Sequence, residues 1–151
     1  MRKVLTLCII HQHPRVLLGV KKRGFGVGKY NGFGGKLNEG ETIEEAAKRE
    51  IKEETGLTVN NLYKLGTVDF RWQGKPEIME VHVFKANQYE GEPSESEEMK
   101  PEWFHVDKIP FDKMWQDDKH WFPLFLSDKK FIGKFLFDEK DNIIEHELNE
   151  I

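Results

Sequence analysis

Glu50, Glu53 and Glu54 stand at i, i+3 and i+4, so on a helix their carboxylates share one face. Like charges at this spacing destabilise an isolated helix by about 0.2–0.5 kcal/mol per pair, and converging acceptor-only groups are better accommodated by a cation. Oxygen-only ligation favours Mg2+ or Mn2+, and Mg2+ commonly combines a few carboxylates with waters and substrate phosphates. The pattern therefore points to phosphate chemistry. Taken alone, the same glutamates suit a solvated amphipathic helix equally well.

Two further groupings could do chemistry. The stretch from Lys21 to Lys36 holds six glycines in sixteen residues and has cations at both ends, among them Lys22 and Arg23, which could meet an anionic substrate. Asp117 and Asp118 lie between Trp115 and Trp121. Adjacent carboxylates crowded under an aromatic should have at least one pKa raised. Their ordinary explanations are an acidic helix N-terminus and core tryptophans. Phe70 and Trp72 share a strand face and would likewise normally be core. Cys8 reads as a small buried apolar residue, and the six histidines are scattered without an assigned role.

The elements that must position these groups follow from local pattern. Val4 to Ile10 and Val16 to Val20 read as two antiparallel strands about a turn at His11 to Arg15. Thr42-Ile43-Glu44-Glu45 has the form of a capping box, Ile43, Ala47 and Ile51 recur as a buried stripe, and Gly56 suits a left-handed cap, so a helix should run from Thr42 to near Thr55. Strands are expected over Leu62 to Trp72, Ile78 to Ala86 and Trp103 to Val106. A helical region lies within Phe111 to Leu126, and Phe131 to Phe137 with Ile143 to Leu148 should close as a hairpin.

The 151 residues suit a single domain spanning 1–151, of the α+β class, with a curved sheet packed against helices. A net charge of −4 without a basic stripe argues against polymeric nucleic acid as a partner, and no apolar run is long enough for a membrane helix. Met1-Arg2-Lys3 ahead of Val4 to Ile10 imitates a short signal peptide, but no small-residue cleavage site follows it. One cysteine fits a reducing compartment, and a cytoplasmic monomer is expected, with mitochondrial or nuclear fractions compatible.

Spacing beyond the helix decides between the readings of the glutamates. Gly35, five residues, Glu41, seven residues, Arg49-Glu50-Ile51, one residue, Glu53-Glu54, one residue, Gly56-Leu57 resembles the complete box of the Nudix family. Seven fixed identities coincide by chance in fewer than about one window in ten million. The resemblance implies an α/β/α sandwich with a curved mixed sheet, and metal-dependent hydrolysis of a nucleoside diphosphate linked to another group. It also implies that Glu50, Glu53, Glu54 and the carbonyl of Gly34 or Gly35 bind metal, while Arg49 orients the carboxylates or the loop. A metal would neutralise the polyphosphate and lower the pKa of an attacking water.

The likeness extends over nearly the whole chain to the animal MutT-like branch that hydrolyses oxidised purine nucleoside triphosphates. It is carried by Val16 to Gly19, Lys21 to Gly26, Asn31-Gly32-Phe33-Gly34-Gly35-Lys36, Glu98-Met99 and Trp115-Gln116-Asp117-Asp118. It implies that Asn31, Asp117 and Asp118 read the purine edge and that Trp115 stacks on the base. Thr6, Lys21, Phe25, Phe70, Met79, Met99 and Trp121 would line the pocket, with Phe33, Gly34, Gly35, Lys36 and Gln116 also binding substrate and Glu98 adding a carboxylate near the metal. Expected substrates are 8-oxo-dGTP and 2-oxo-dATP, cleaved to monophosphate and pyrophosphate. Two positions depart from that branch: Tyr30 stands for its tryptophan and Gln116 for its proline. A Nudix enzyme of another class, acting for instance on ADP-ribose, and a non-catalytic nucleotide-binding module remain the competing readings.

Overall fold

A computed structural model describes all residues from Met1 to Ile151. Its strands are β1 (Arg2–Gln12), β2 (Arg15–Lys21), β3 (Tyr30–Asn31), β4 (Tyr63–Trp72), β5 (Ile78–Ala86), β6 (Met99–His105), β7 (Phe131–Phe137) and β8 (Ile143–Glu150), and its helices are α1 (Ile43–Thr55) and α2 (Asp118–Leu126). Short 3-10 turns at Val106–Lys108 and Phe111–Lys113 lead into α2. The strands form one mixed sheet in the order β3-β2-β1-β5-β4-β7-β8, with β6 added on β2.

α1 forms where local chemistry dictates. Thr42 Oγ1 accepts from the Glu45 amide at 3.1 Å, and the Glu45 carboxylate accepts from the Thr42 amide at 2.9 Å. Gly56, at φ 81°, ends the helix with its amide on the Lys52 carbonyl. The buried face is broader than the expected stripe, because Ala46 and Thr55 join Ala47 and Ile51.

The helices cover opposite faces of the sheet. Cys8, Ile10, Leu17, Phe33, Phe84 and Met99 pack against Ala47 and Ile51 of α1. On the other face, Ile9, Val68, Val81, Val83, Phe131 and Phe135 pack against Trp121, Phe122 and Phe125 of α2. This α/β/α layering gives each face its own helix and core.

The first two strands depart from a simple hairpin. β1 and β2 pair antiparallel only at Ile10–Leu17, His11–Val16 and Gln12–Arg15. β1 instead runs parallel to β5 from Arg2 to Ile10, and β2 pairs with β6 along its whole length. β1 is buried on both faces near its end, which is the pattern of a central strand rather than of one arm of a free hairpin. Below Ile10 the strands separate, and the edge of β1 facing β2 is taken by the glycine-rich segment. Phe33 and Cys8 exchange amide-to-carbonyl bonds at 2.8 and 2.6 Å, and the Thr6 amide donates to the Gly35 carbonyl at 2.9 Å.

The far end of α2 is tied to the sheet by a polar knot. Lys85, 4% exposed at the end of β5, donates to the Phe125 carbonyl at 2.6 Å and to Asp128 at 2.8 Å, and its ammonium lies 2.8 Å from His11 Nδ1. Burial and the adjacent Lys85 charge bring His11 down to about 4, so its neutral ring can accept that bond. Replacing Lys85 with Met should strand a buried carbonyl and lower unfolding free energy by about 2 kcal/mol, read as a lower urea midpoint with unchanged slope.

Candidate active site

The separation of β1 from β2 creates the site, and three glycines fit it. A Cβ on Gly34 would lie 1.8 Å from the Thr6 carbonyl oxygen, one on Gly32 2.6 Å from Ile9 Cγ1, and one on Gly35 2.7 Å from Glu50 Oε2. At Gly34 the clash is with the β1 backbone and only glycine fits, whereas at Gly35 a side chain would have to displace the Glu50 carboxylate. The Gly34 amide then donates to Glu54 Oε1 at 2.9 Å. The Gly35 carbonyl is taken by the Thr6 amide, whereas the Gly34 carbonyl accepts no such bond.

Arg49 organises the carboxylates. It holds Glu41 through two nitrogens at 2.7 and 3.0 Å, Glu50 at 2.6 Å, Glu53 at 3.3 Å and the Lys36 carbonyl at 2.9 Å. One planar fork thereby joins the helix to the loop before it, and its hydrogen bonds hold Glu41 below the ordinary carboxylate range. Glu54 lies deeper, 6% exposed. Burial, followed by the charge of Glu50, pushes it up to about 8, against the Gly34 amide and Lys21.

A cavity runs from this carboxylate across the sheet face. Thr6, Lys21, Gly34, Gly35 and Glu54 form one end, and Asn31, Phe25, Trp115, Asp117, Asp118 and Trp121 the other. Phe70, Met79 and Met99 line the same cavity, as the resemblance implied. Asp117 and Asp118 do begin α2, but neither serves as a hydrogen-bonding cap: both are 3% exposed, and Asp117 accepts the Trp121 indole N–H at 2.8 Å. Burial raises Asp117 to about 6, and burial together with the charge of Asp117 raises Asp118 well above its ordinary range.

Four expected contacts are placed differently. Phe33 is fully buried on the α1 side, because its strand-like pairing with Cys8 turns its ring away from the cavity. Gln116 bonds to Asn142 Oδ1 and accepts the Ile143 amide at 2.8 Å, so it faces the turn before β8. Lys36 is outside the lining and bridges Leu5 through its backbone, with its charge felt by Glu77. Glu98 is bound to Arg23 at 2.7 Å and faces Lys21 at 3.9 Å, beside the site rather than in its lining. Lys22 and Arg23 are likewise engaged by Glu95, Glu97 and Glu98.

Several lining residues escaped sequence reasoning. Leu5, Leu7, Val68, Val81 and Val83 are ordinary strand residues whose role depends on which face meets the cavity. Phe137 belongs to an aromatic wall with Trp115, Phe25 and Trp72, the last weighed from sequence beside Phe70, with ring centroids 5.1–6.2 Å apart. Lys29 also lines the cavity; its position within the cation-flanked glycine stretch was the only available signal.

The model of the NUDIX domain matches residues 1–125. The chain belongs to the Nudix family. It is 58% identical over 149 residues to the oxidized purine nucleoside triphosphate hydrolase of Danio rerio, covering 99% of this chain and 96% of that one. Its identity to the protein of the same description from Mus musculus is 54%, with the same coverage. Among solved structures, a mutator MutT protein from Bacillus halodurans is similar with a TM-score of 0.88 at 34% identity, covering 97% of both chains.

Nudix hydrolases generally require a divalent metal, and the site can be tested against that requirement. No three acidic, cysteine or imidazole side chains form a ready-made cluster, because Arg49 draws Glu50 and Glu53 to itself. The deep pair fits nonetheless: Glu54 and Glu50 repel each other in a site of low solvent access, where a hard cation would relieve both burial and repulsion. The Gly34 carbonyl could supply a neutral oxygen beside them.

The raised Glu54 has a measurable consequence in metal-free protein. Folded Glu54 keeps a proton that the unfolded chain releases near 4.5, so native stability should fall as pH rises between about 4.5 and 8. Glu54→Gln removes that penalty. In chelator-treated samples the variant should be more stable than wild type by roughly 5 kcal/mol above pH 8, with the gap closing near pH 5, as measured by urea unfolding.

Proposed function

We propose that this protein hydrolyses oxidised purine nucleoside triphosphates, 8-oxo-dGTP and 2-oxo-dATP among them, to the monophosphate and pyrophosphate, with Mg2+ as its metal. The observation that carries the reading is one continuous cavity with a buried glutamate at one end and a buried aspartate pair beneath tryptophans at the other. Its two ends have the chemistry of a phosphate site and of a base site.

At the phosphate end, Glu50 and Glu54 would hold Mg2+ with the Gly34 carbonyl, and Glu53 would join them if released from Arg49. The metal supplies charge neutralisation for the polyphosphate and acidifies a bound water. Lys21 can meet a phosphate oxygen, since it lines the cavity and its contact with Glu98 is long at 3.9 Å. A carboxylate of this set would take the proton of the attacking water. Arg49 fixes the helix against the loop and so holds these groups in register.

At the base end, the rings of Phe25 and Trp115 offer faces for stacking, and Asn31 offers both donors and an acceptor. Asp117 and Asp118 are too close and too buried to share two charges readily, so one carboxyl can donate while the other accepts. Exchange of that proton would reverse the pattern and admit a second base. We take the enzyme to act as a monomer on free nucleotides in the cytoplasm, on the grounds of its net charge of −4 and single cysteine.

With Mg2+ present, the wild type should release pyrophosphate from 8-oxo-dGTP faster than from dGTP, and Glu54→Gln should lower kcat by about 10²–10⁴-fold. Phosphate quantification after chromatographic separation of the products checks both. Absence of pyrophosphate from every purine triphosphate would overturn the assignment, and full activity of the variant would remove Glu54 from the chemistry. Asp117→Asn and Asp118→Asn should each change the ratio of 8-oxo-dGTP to 2-oxo-dATP turnover. An unchanged ratio in both variants would exclude the proton-exchange reading.

A further inference from the structure

The base end of the cavity contains one unmatched polar atom and one unmatched cation. Asp118 Oδ2 is buried without a hydrogen-bond partner, while the neighbouring Asp117 receives the Trp121 indole N–H at 2.8 Å. Lys29 lines the same cavity, with its ammonium 5.2 Å from the Trp115 ring centroid. Unlike Lys21, which faces Glu98 at 3.9 Å, Lys29 forms no ion pair. Its backbone is fixed independently of its side chain: the amide donates to the Gly26 carbonyl at 3.0 Å, and the carbonyl accepts from the Lys21 amide at 3.0 Å.

Two buried carboxylates side by side tend to hold one charge between them. The charge can sit on Asp117, steadied by the Trp121 indole, or on Asp118, whose one favourable charged neighbour is Lys29. Further along the cavity, the other charged or titratable lining groups are Lys21 from β2 and Glu54 from α1. Oxidised purines present mirrored edges to such a pair. The O6, N1–H and N2–H of 8-oxoguanine read acceptor, donor, donor, whereas the N6–H, N1–H and O2 of 2-oxoadenine read donor, donor, acceptor. Moving one proton between the carboxyls reverses the pattern of the protein in the same way.

We propose that Lys29 is a specificity-determining residue: its ammonium, held over Trp115, keeps the Asp118-charged arrangement accessible, so that the pocket takes both classes of oxidised purine instead of one. The inference rests on the oxidised-purine reading above and adds to it a residue outside the base-contacting set. Burial and the charge of Asp117 both favour a proton on Asp118, and Lys29 is the opposing influence. The Asp117-charged arrangement therefore predominates. Removing Lys29 depletes the minor arrangement, so the base that needs it loses affinity in proportion, while the base that uses the major one is almost unaffected.

The test is direct binding of 8-oxo-dGMP and of 2-oxo-dAMP to metal-free wild type, Lys29→Met and Lys29→Arg at pH 7, by calorimetry. Monophosphates without metal separate base recognition from the phosphate chemistry. Lys29→Met should bind one nucleotide about fivefold more weakly, the size expected of a partly screened charge pair, and the other within about twofold of wild type. Lys29→Arg should restore the lost affinity. A merely structural role would weaken both nucleotides together, and that result, or no change in either, overturns the proposal. Wild type that binds neither nucleotide overturns the oxidised-purine reading itself and the role of Lys29 with it, an outcome distinct from wild type that binds both and variants that match it.

Discussion

The close approach of the Gly32 to Gly35 backbone to β1 is the constraint on which the site depends. Because β2 leaves β1 after three paired residues, the outer edge of β1 would present unpaired amides and carbonyls inside the protein. The glycine segment satisfies them at Thr6 and Cys8. It can do so only without side chains, since a methyl on Gly34 would overlap the Thr6 carbonyl at 1.8 Å. The same approach aims the Gly34 amide at Glu54 and brings Gly35 beneath Glu50. A backbone requirement of the sheet and a geometric requirement of the chemistry thus have one solution.

The cavity joins two stores of repelling negative charge, and each is kept by a different device. At the phosphate end, Glu50 is held by Arg49 while Glu54 is left buried and protonatable. A buried carboxylate with raised proton affinity is destabilising unless a proton or a cation occupies it, so folding energy is held in reserve for binding. At the base end, Asp117 has an indole N–H and Asp118 has an unmatched oxygen. An unsatisfied polar atom in a cavity is costly alone and useful when a ligand supplies its partner. α1 supplies Glu54 from one face of the sheet, and α2 with its N-terminal cap supplies Asp118 and Asp117 to the same cavity from the other.

What was legible in the sequence was local. The limits of α1 could be read because capping at Thr42 and Glu45 and termination at Gly56 involve residues within one turn. The spacing of Glu50, Glu53 and Glu54 likewise fixed their shared face, although it could not show that Arg49 would draw Glu50 and Glu53 away from a common point. Long-range matters were not legible. The parallel partner of β1 lies on a strand that starts at Ile78, and nothing near Val4 encodes that choice. Asn31, Asp117 and Asp118 were brought together with Trp115 as the resemblance implied, whereas Phe33 and Gln116 turned elsewhere because backbone pairing and a neighbouring turn claimed them.

Tyr30 and Gln116, where the resemblance leads one to expect tryptophan and proline, show how a loop can keep its shape by other means. Proline before the aspartate pair would restrict φ and stiffen the approach to α2. Gln116 supplies restraint by bonding, since its amide donates to Asn142 and its carbonyl accepts from Ile143, which fastens the approach to the turn between β7 and β8. Tyr30 packs edge-on against Phe104 at 5.1 Å and donates its hydroxyl to Glu102 at 3.2 Å, so its ring is anchored on β6 and away from the base end. Both residues therefore brace the segments that carry Asn31 and Asp117. With Lys85 tying the other end of α2 to the sheet, the helix that carries the aspartates is held at both ends by polar contacts and along its length by aromatic packing. On the proposed reading, that rigidity would let a single proton on the aspartate pair discriminate between bases, because carboxyls free to swing could satisfy either purine edge without choosing between them.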